Sequence, residues 1–157
     1  MSEKVVSKEV VTKEIAKDLI LQAKKEKNLT FEAIANEIGR HAVWTTSAIM
    51  GQQTMNEEEA NKLIALLDLD SSVADALQEI PYRGSLEDDI PVDPLIYRFY
   101  EMIQVYGSSM KALIHEEFGD GIMSAIDFTM DIDRKEHPDG DRVVITLDGK
   151  FLETKKW

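Results

Sequence analysis

The sequence predicts an α+β chain in two parts, an N-terminal five-helix bundle followed by a small domain of helix and antiparallel strand. Three observations carry this. Apolar residues recur at helical spacing before residue 80, a Pro- and acid-rich stretch breaks the pattern at 81–94, and from Ser124 onward polar and apolar residues alternate.

The elements follow in order. Val11, Ile15 and Leu19, at i, i+4 and i+8, place one apolar stripe on a first helix spanning roughly 8–26. Thr30 caps a second helix that Gly39 ends, and a third runs over about 41–50 and stops at Gly51. Asn56, with Glu59 three residues on, makes a capping box for a fourth helix carrying Leu63, Ile64, Leu66 and Leu67. Ser71 or Ser72 opens a fifth, reaching about Glu79. The stretch 81–93, with Pro81, Gly84 and the run Glu87-Asp88-Asp89, reads as a linker between a helical domain, 1–80, and a second domain, 94–157.

In the second domain Asp93-Pro94 starts a helix, the carboxylate capping free amides and the proline sitting where a missing N–H costs nothing. That helix is expected to stop at Gly107, and Ser108 to cap another that reaches Phe118. Alternation from Ala125 to Ile132 predicts a first strand, Pro138-Asp139-Gly140 a turn, 143–147 a second strand, and Asp148-Gly149 a tight turn into a third over 150–152. Three short strands bury little apolar surface, so this domain is expected to need a partner subunit.

Composition narrows the chemistry. The chain has 157 residues, a formal net charge of −12 and no cysteine, which removes disulfides, thiolate nucleophiles and Cys-ligated metals. Net acidity opposes nucleic acid and anionic membrane alike, and no apolar run is long enough to cross a bilayer. A cytoplasmic protein without nucleic-acid or membrane partners is therefore expected. Helices two and three, joined at Gly39-Arg40, have helix-turn-helix proportions, but the reading helix would carry neither Lys nor Arg. The three histidines, 41, 115 and 137, are scattered, and His115-Glu116-Glu117 lacks the second histidine of a zinc motif. Neither Gly119-Asp120-Gly121 nor Gly149-Lys150 completes a nucleotide-binding loop.

What stands out is Tyr97-Arg98-Phe99-Tyr100-Glu101. Arg98 and Glu101 share one helical face amid Tyr97, Phe99, Tyr100, Met102 and Ile103, so the pair is either a buried structural ion pair or a site. As a site it suits a small anion: a guanidinium fork binds it and a carboxylate steers the fork or moves a proton.

These residues resemble the cyanase (cyanate hydratase, cyanate lyase) family. The resemblance runs through Pro91-Val92-Asp93-Pro94-Leu95-Ile96-Tyr97-Arg98-Phe99-Tyr100-Glu101-Met102, Gln104-Val105-Tyr106-Gly107 and Lys111-Ala112-Leu113-Ile114-His115-Glu116. It continues in Phe118-Gly119-Asp120-Gly121-Ile122-Met123-Ser124-Ala125-Ile126 and Val144-Ile145-Thr146-Leu147-Asp148-Gly149-Lys150, with Leu29-Thr30-Phe31 and Gly51-Gln52-Gln53 in the front half.

The resemblance implies a repressor-like helical domain and a catalytic, dimerising domain. It implies decomposition of cyanate with bicarbonate as co-substrate, through carbamate to ammonia and carbon dioxide, with no metal or organic cofactor. By motif the catalytic residues are Arg98, Glu101 and Ser124, with Arg98, Ser124 and Ala125 binding substrate. It also implies a homodecamer of five dimers, with sites formed between subunits. Some relatives carry a Cys where this chain has Ser85 after Arg83-Gly84, so thiol chemistry is not essential here. Residues 1–12 match nothing specific and are read as disordered.

Overall fold

The computed structural model describes residues 9–157, so that part of the N-terminal expectation, and the predicted start of the first helix at residue 8, lie outside the described residues. The chain divides into two compact units between Ser85 and Leu86.

The first unit is five helices: α1 Lys13–Glu26, α2 Phe31–Ile38, α3 Ala42–Ile49, α4 Glu57–Leu67 and α5 Ser71–Gln78. Residues 9–12 are not helical: Thr12 caps α1, its hydroxyl accepting from the Ile15 amide, and Val11 packs against the core. Thr30 caps α2, and Gly39 ends it with φ 82°, a left-handed conformation that costs glycine little. Asn56 and Glu59 form the full capping box on α4. The fifth helix is opened by Asp70 rather than by either serine; a carboxylate is as good an acceptor at this position, and Asp70 takes both the amide and the hydroxyl of Ser72.

One core gathers Ile20, Ile34, Ile38, Ile49, Met55, Leu63, Leu67, Val73 and Leu77. The bundle is tied by the Met55 amide donating to the Leu77 carbonyl at 3.0 Å. Lys13 Nζ donates to the same carbonyl at 3.2 Å, and partial burial holds its pKa below the ordinary lysine value, Glu79 opposing the shift.

Thr45 is fully buried on α3 and its hydroxyl has no partner among the described residues. A buried hydroxyl without a partner costs its desolvation and returns nothing. Thr45→Val keeps the shape and removes the hydroxyl, so it is expected to stabilise the protein by about 1 kcal/mol; a urea midpoint at or below that of the wild type would contradict this.

The second unit is one helix and one hairpin. α6, Pro94–Phe118, is a single helix of 25 residues, capped by the Asp93 carboxylate, which accepts from the amides of Leu95 and Ile96. The expected break at Gly107-Ser108 does not occur. A mid-helix glycine costs about 1 kcal/mol, which is too little to interrupt apolar periodicity that continues on both sides. β1, Gly121–Lys135, and β2, Arg142–Glu153, form a two-stranded antiparallel sheet around the turn that contains Gly140, at φ 121°. The third strand is likewise absent: Asp148 and Gly149 continue β2, paired with Thr129 and Phe128.

α6 has no buried residue, and apolar side chains along it and the hairpin stay open to solvent, among them Leu113 at 67 % and Ile126 at 97 % exposure. No helix among the described residues is long and apolar enough to cross a membrane.

Candidate active site

The helical register of α6 brings Arg98 and Glu101 together. Three residues apart, they lie on one face, and Arg98 Nη1 donates to Glu101 Oε1 at 3.3 Å. The pair is not the buried structural bridge that the apolar neighbours allowed, since the Arg98 side chain is 68 % exposed and that of Glu101 45 %. Within one chain its aromatic and aliphatic surroundings flank it without covering it, so the bridge contributes little to stability. One guanidinium N–H is engaged by Glu101; a guanidinium carries five, and the fork keeps its capacity to bind an anion.

Ser124 lies in a different setting. The β1–β2 ladder is interrupted between Met123, paired with Phe151, and Phe128, paired with Gly149. Residues 124–127 therefore bulge out opposite Lys150 alone. The bulge is closed by Ser124, which is buried: its hydroxyl oxygen accepts from the Ile126 amide at 3.1 Å and the Asp127 amide at 2.9 Å.

A hydroxyl has two acceptor lone pairs and one proton to donate. With both lone pairs engaged, the remaining capacity of Ser124 is donation, and the two amides polarise the O–H to make it a better donor. The geometry suits a group that stabilises an oxyanion and is opposed to a nucleophile, which needs a lone pair directed at the substrate. Ala125 follows in the same bulge, exposed and outside the ladder.

The structure thus places Arg98 with Glu101 on α6, and Ser124 with Ala125 in the β1 bulge. The hydrogen bonds of Ser124 stay within β1. From Arg98 to the end of α6 at Phe118 the helix rises about 30 Å, at about 1.5 Å per residue. Arg98 and Glu101 were named from their spacing and Ser124 and Ala125 from the family resemblance; neither reading foresaw the bulge or the two amides that donate to the Ser124 hydroxyl. The one residue in the sequence that bears on the bulge is Gly149, on the opposite strand and paired with Phe128. Among the described residues no group of three or more His, Asp or Glu side chains is arranged to hold a metal ion.

An acidic helical bundle is followed by a second unit whose long helix carries a paired arginine and whose bulged hairpin presents a serine donor, groups whose chemistry suits a small anion. Comparison with known proteins gives the family. The pattern described as "Cyanate hydratase, N-terminal" matches residues 10–81, and that of the "Cyanate lyase C-terminal domain" matches 88–156. The chain is 57 % identical to a cyanate hydratase of Prochlorococcus marinus subsp. pastoris over 139 residues, covering 88 % of this chain and 95 % of that protein. It is 50 % identical to a cyanate hydratase of Dechloromonas aromatica over 147 residues, 94 % of this chain and all of the relative. Among solved structures, the crystal structure of cyanase from T. urticae superimposes with a TM-score of 0.76 at 42 % identity, covering 88 % of this chain and 96 % of that one. The chain belongs to the cyanate lyase family.

Proposed function

We propose that this protein is a cyanate-degrading lyase that uses bicarbonate as co-substrate and needs no metal or organic cofactor. Its family membership and the identity of its relatives carry the reaction, and a forked cation held by Glu101 and a serine left with only its proton to donate support the roles of the residues.

A bicarbonate oxygen adds to the cyanate carbon while the nitrogen takes up one proton from solution and the proton of bicarbonate, giving a dicarbamate-like adduct. Cleavage of the bond between the former bicarbonate carbon and the bridging oxygen releases one carbon dioxide and leaves carbamate. Carbamate takes up a further proton and breaks down to ammonia and a second carbon dioxide. The sum, cyanate plus bicarbonate plus two protons giving ammonia and two carbon dioxide, balances in atoms and charge.

The main obstacle is bringing two monoanions together, which costs about 4 kcal/mol at about 4 Å for an effective dielectric near 20. Arg98 offsets that repulsion, Glu101 orients its guanidinium, Ser124 donates to the oxyanion, and Ala125 contributes from the same bulge.

A single chain carries these groups on two elements, α6 and the β1 bulge, and its second unit leaves α6 and hairpin apolar surface uncovered. Both facts support a homo-oligomer, a decamer of five dimers, in which different subunits complete each site and symmetry supplies a second Arg98. On this reading residues 1–80 form the bundle domain, 81–93 the linker and 94–157 the catalytic and dimerising domain, in a protein of the cytoplasm.

A DNA-binding role for the bundle finds no support. α3 carries no basic residue, and Arg40, in the turn before it, is committed to Glu59 and lies over the Trp44 ring.

Product accounting tests the reaction. With excess bicarbonate, and with dissolved carbon dioxide followed faster than its uncatalysed exchange with bicarbonate, each cyanate consumed is expected to yield one ammonia and two carbon dioxide. A yield of one carbon dioxide per cyanate would mean simple hydrolysis and overturn the role of bicarbonate.

A further inference from the structure

The bulge that carries Ser124 rests on Gly149. A methyl group placed on Gly149 would lie 2.5 Å from the Ser124 carbonyl oxygen and 2.6 Å from Met123 Cγ, both inside the roughly 3 Å that real Cβ atoms respect, and in tight contact with Met123 Sδ at 3.2 Å. The Met123 side chain is flexible and can swing away. The Ser124 carbonyl is backbone, and displacing it carries with it the residue whose hydroxyl is seated on the Ile126 and Asp127 amides. Gly149 does not have positive φ, so what its position demands is space and not backbone freedom. Gly121 is crowded too, but by Leu152 and Phe151, so it serves strand pairing at the open end of the hairpin and does not bear on the bulge.

We infer that Gly149 is a positioning residue: by lacking a side chain it seats the Ser124 carbonyl against β2 and so fixes the direction in which the Ser124 hydroxyl donates. This rests on the reading of Ser124 as the oxyanion donor. It explains why a glycine stands in the middle of a strand, where it weakens the ladder and makes no turn.

The test compares Ser124→Ala, Gly149→Ala and the double variant, each checked for wild-type assembly mass and circular dichroism. Each single substitution is expected to lower kcat for ammonia release from cyanate by roughly 10²-fold, the loss of one oxyanion donor. The double variant is expected to be no slower than Ser124→Ala alone, because both changes act through one hydroxyl. Wild-type kcat in Gly149→Ala, or a loss that multiplies with that of Ser124→Ala, would overturn the inference while leaving the role of Ser124 intact. Full activity in Ser124→Ala would instead overturn that role, and the positioning role with it. Should Gly149→Ala not assemble, Met123→Ala/Gly149→Ala leaves the Ser124 carbonyl as the one close contact named above. It is expected to assemble with the same roughly 10²-fold loss, and full activity in it would overturn the inference.

Discussion

Arg98→Ala is expected to lower kcat/KM for cyanate by at least about 10³-fold without disturbing the bundle, because each site loses the charge that offsets two anions. Within one chain Arg98 is exposed and its bridge to Glu101 is a surface contact, so its removal costs the fold of the chain little, and a loss at wild-type assembly mass is chemical. Arg98→Lys is expected to recover only a small part of the activity: an ammonium keeps the charge but cannot present two parallel N–H donors to a carboxylate-like anion. Glu101→Gln is expected to be milder than Arg98→Ala, since the amide oxygen still accepts from Arg98 at the 3.3 Å position. A loss in Glu101→Gln as deep as that of Arg98→Ala, with an altered pH profile of kcat, would instead make Glu101 a proton carrier. Ammonia release by variants of wild-type assembly mass measures all three.

The second large effect concerns assembly. Leu113 lies on α6, 67 % exposed in the single chain, about 22 Å along the helix from Arg98. An aspartate there puts a charge where the proposed subunit interface needs apolar contact. Leu113→Asp is expected to reduce the particle to dimers or monomers and to abolish turnover, although Arg98, Glu101 and Ser124 are untouched. Thermal unfolding of the N-terminal bundle is expected to persist, because its core of Ile20, Ile34, Leu63 and Leu77 is complete within one chain. Sedimentation with parallel ammonia assays checks both statements, and a fully active monomer would contradict the shared site.

Helix ends and turns were legible where one local interaction decides them. Thr30, Asn56 with Glu59, and Asp93 each cap by accepting nearby amides, and Gly39 takes the left-handed cap that its sequence position predicts. The misreadings in the second unit came from glycines used for something other than a turn. Gly107 reads as a stop but lies inside α6, with φ outside the left-handed region. Asp148-Gly149 has the composition of a hairpin turn. The hairpin has only the other predicted turn, Pro138-Asp139-Gly140, and at Gly149 the Ser124 carbonyl approaches from the opposite strand.

Local pattern cannot report such an approach, because it depends on the register between strands far apart in sequence. Arg98 and Glu101 were legible as a pair from their spacing alone, whereas the seating of the Ser124 hydroxyl depends on the bulge. Their exposure was not legible either. The apolar residues around them suggested a covered pair, but that surface is open in one chain and is covered, on the present account, by another copy.

The initial rate of ammonia release by the assembled wild-type protein, at fixed cyanate and with bicarbonate titrated from zero, tests the two-anion site most directly. The rate is expected to vanish without bicarbonate and to rise to saturation as it is added. An undiminished rate in bicarbonate-free buffer would contradict the account.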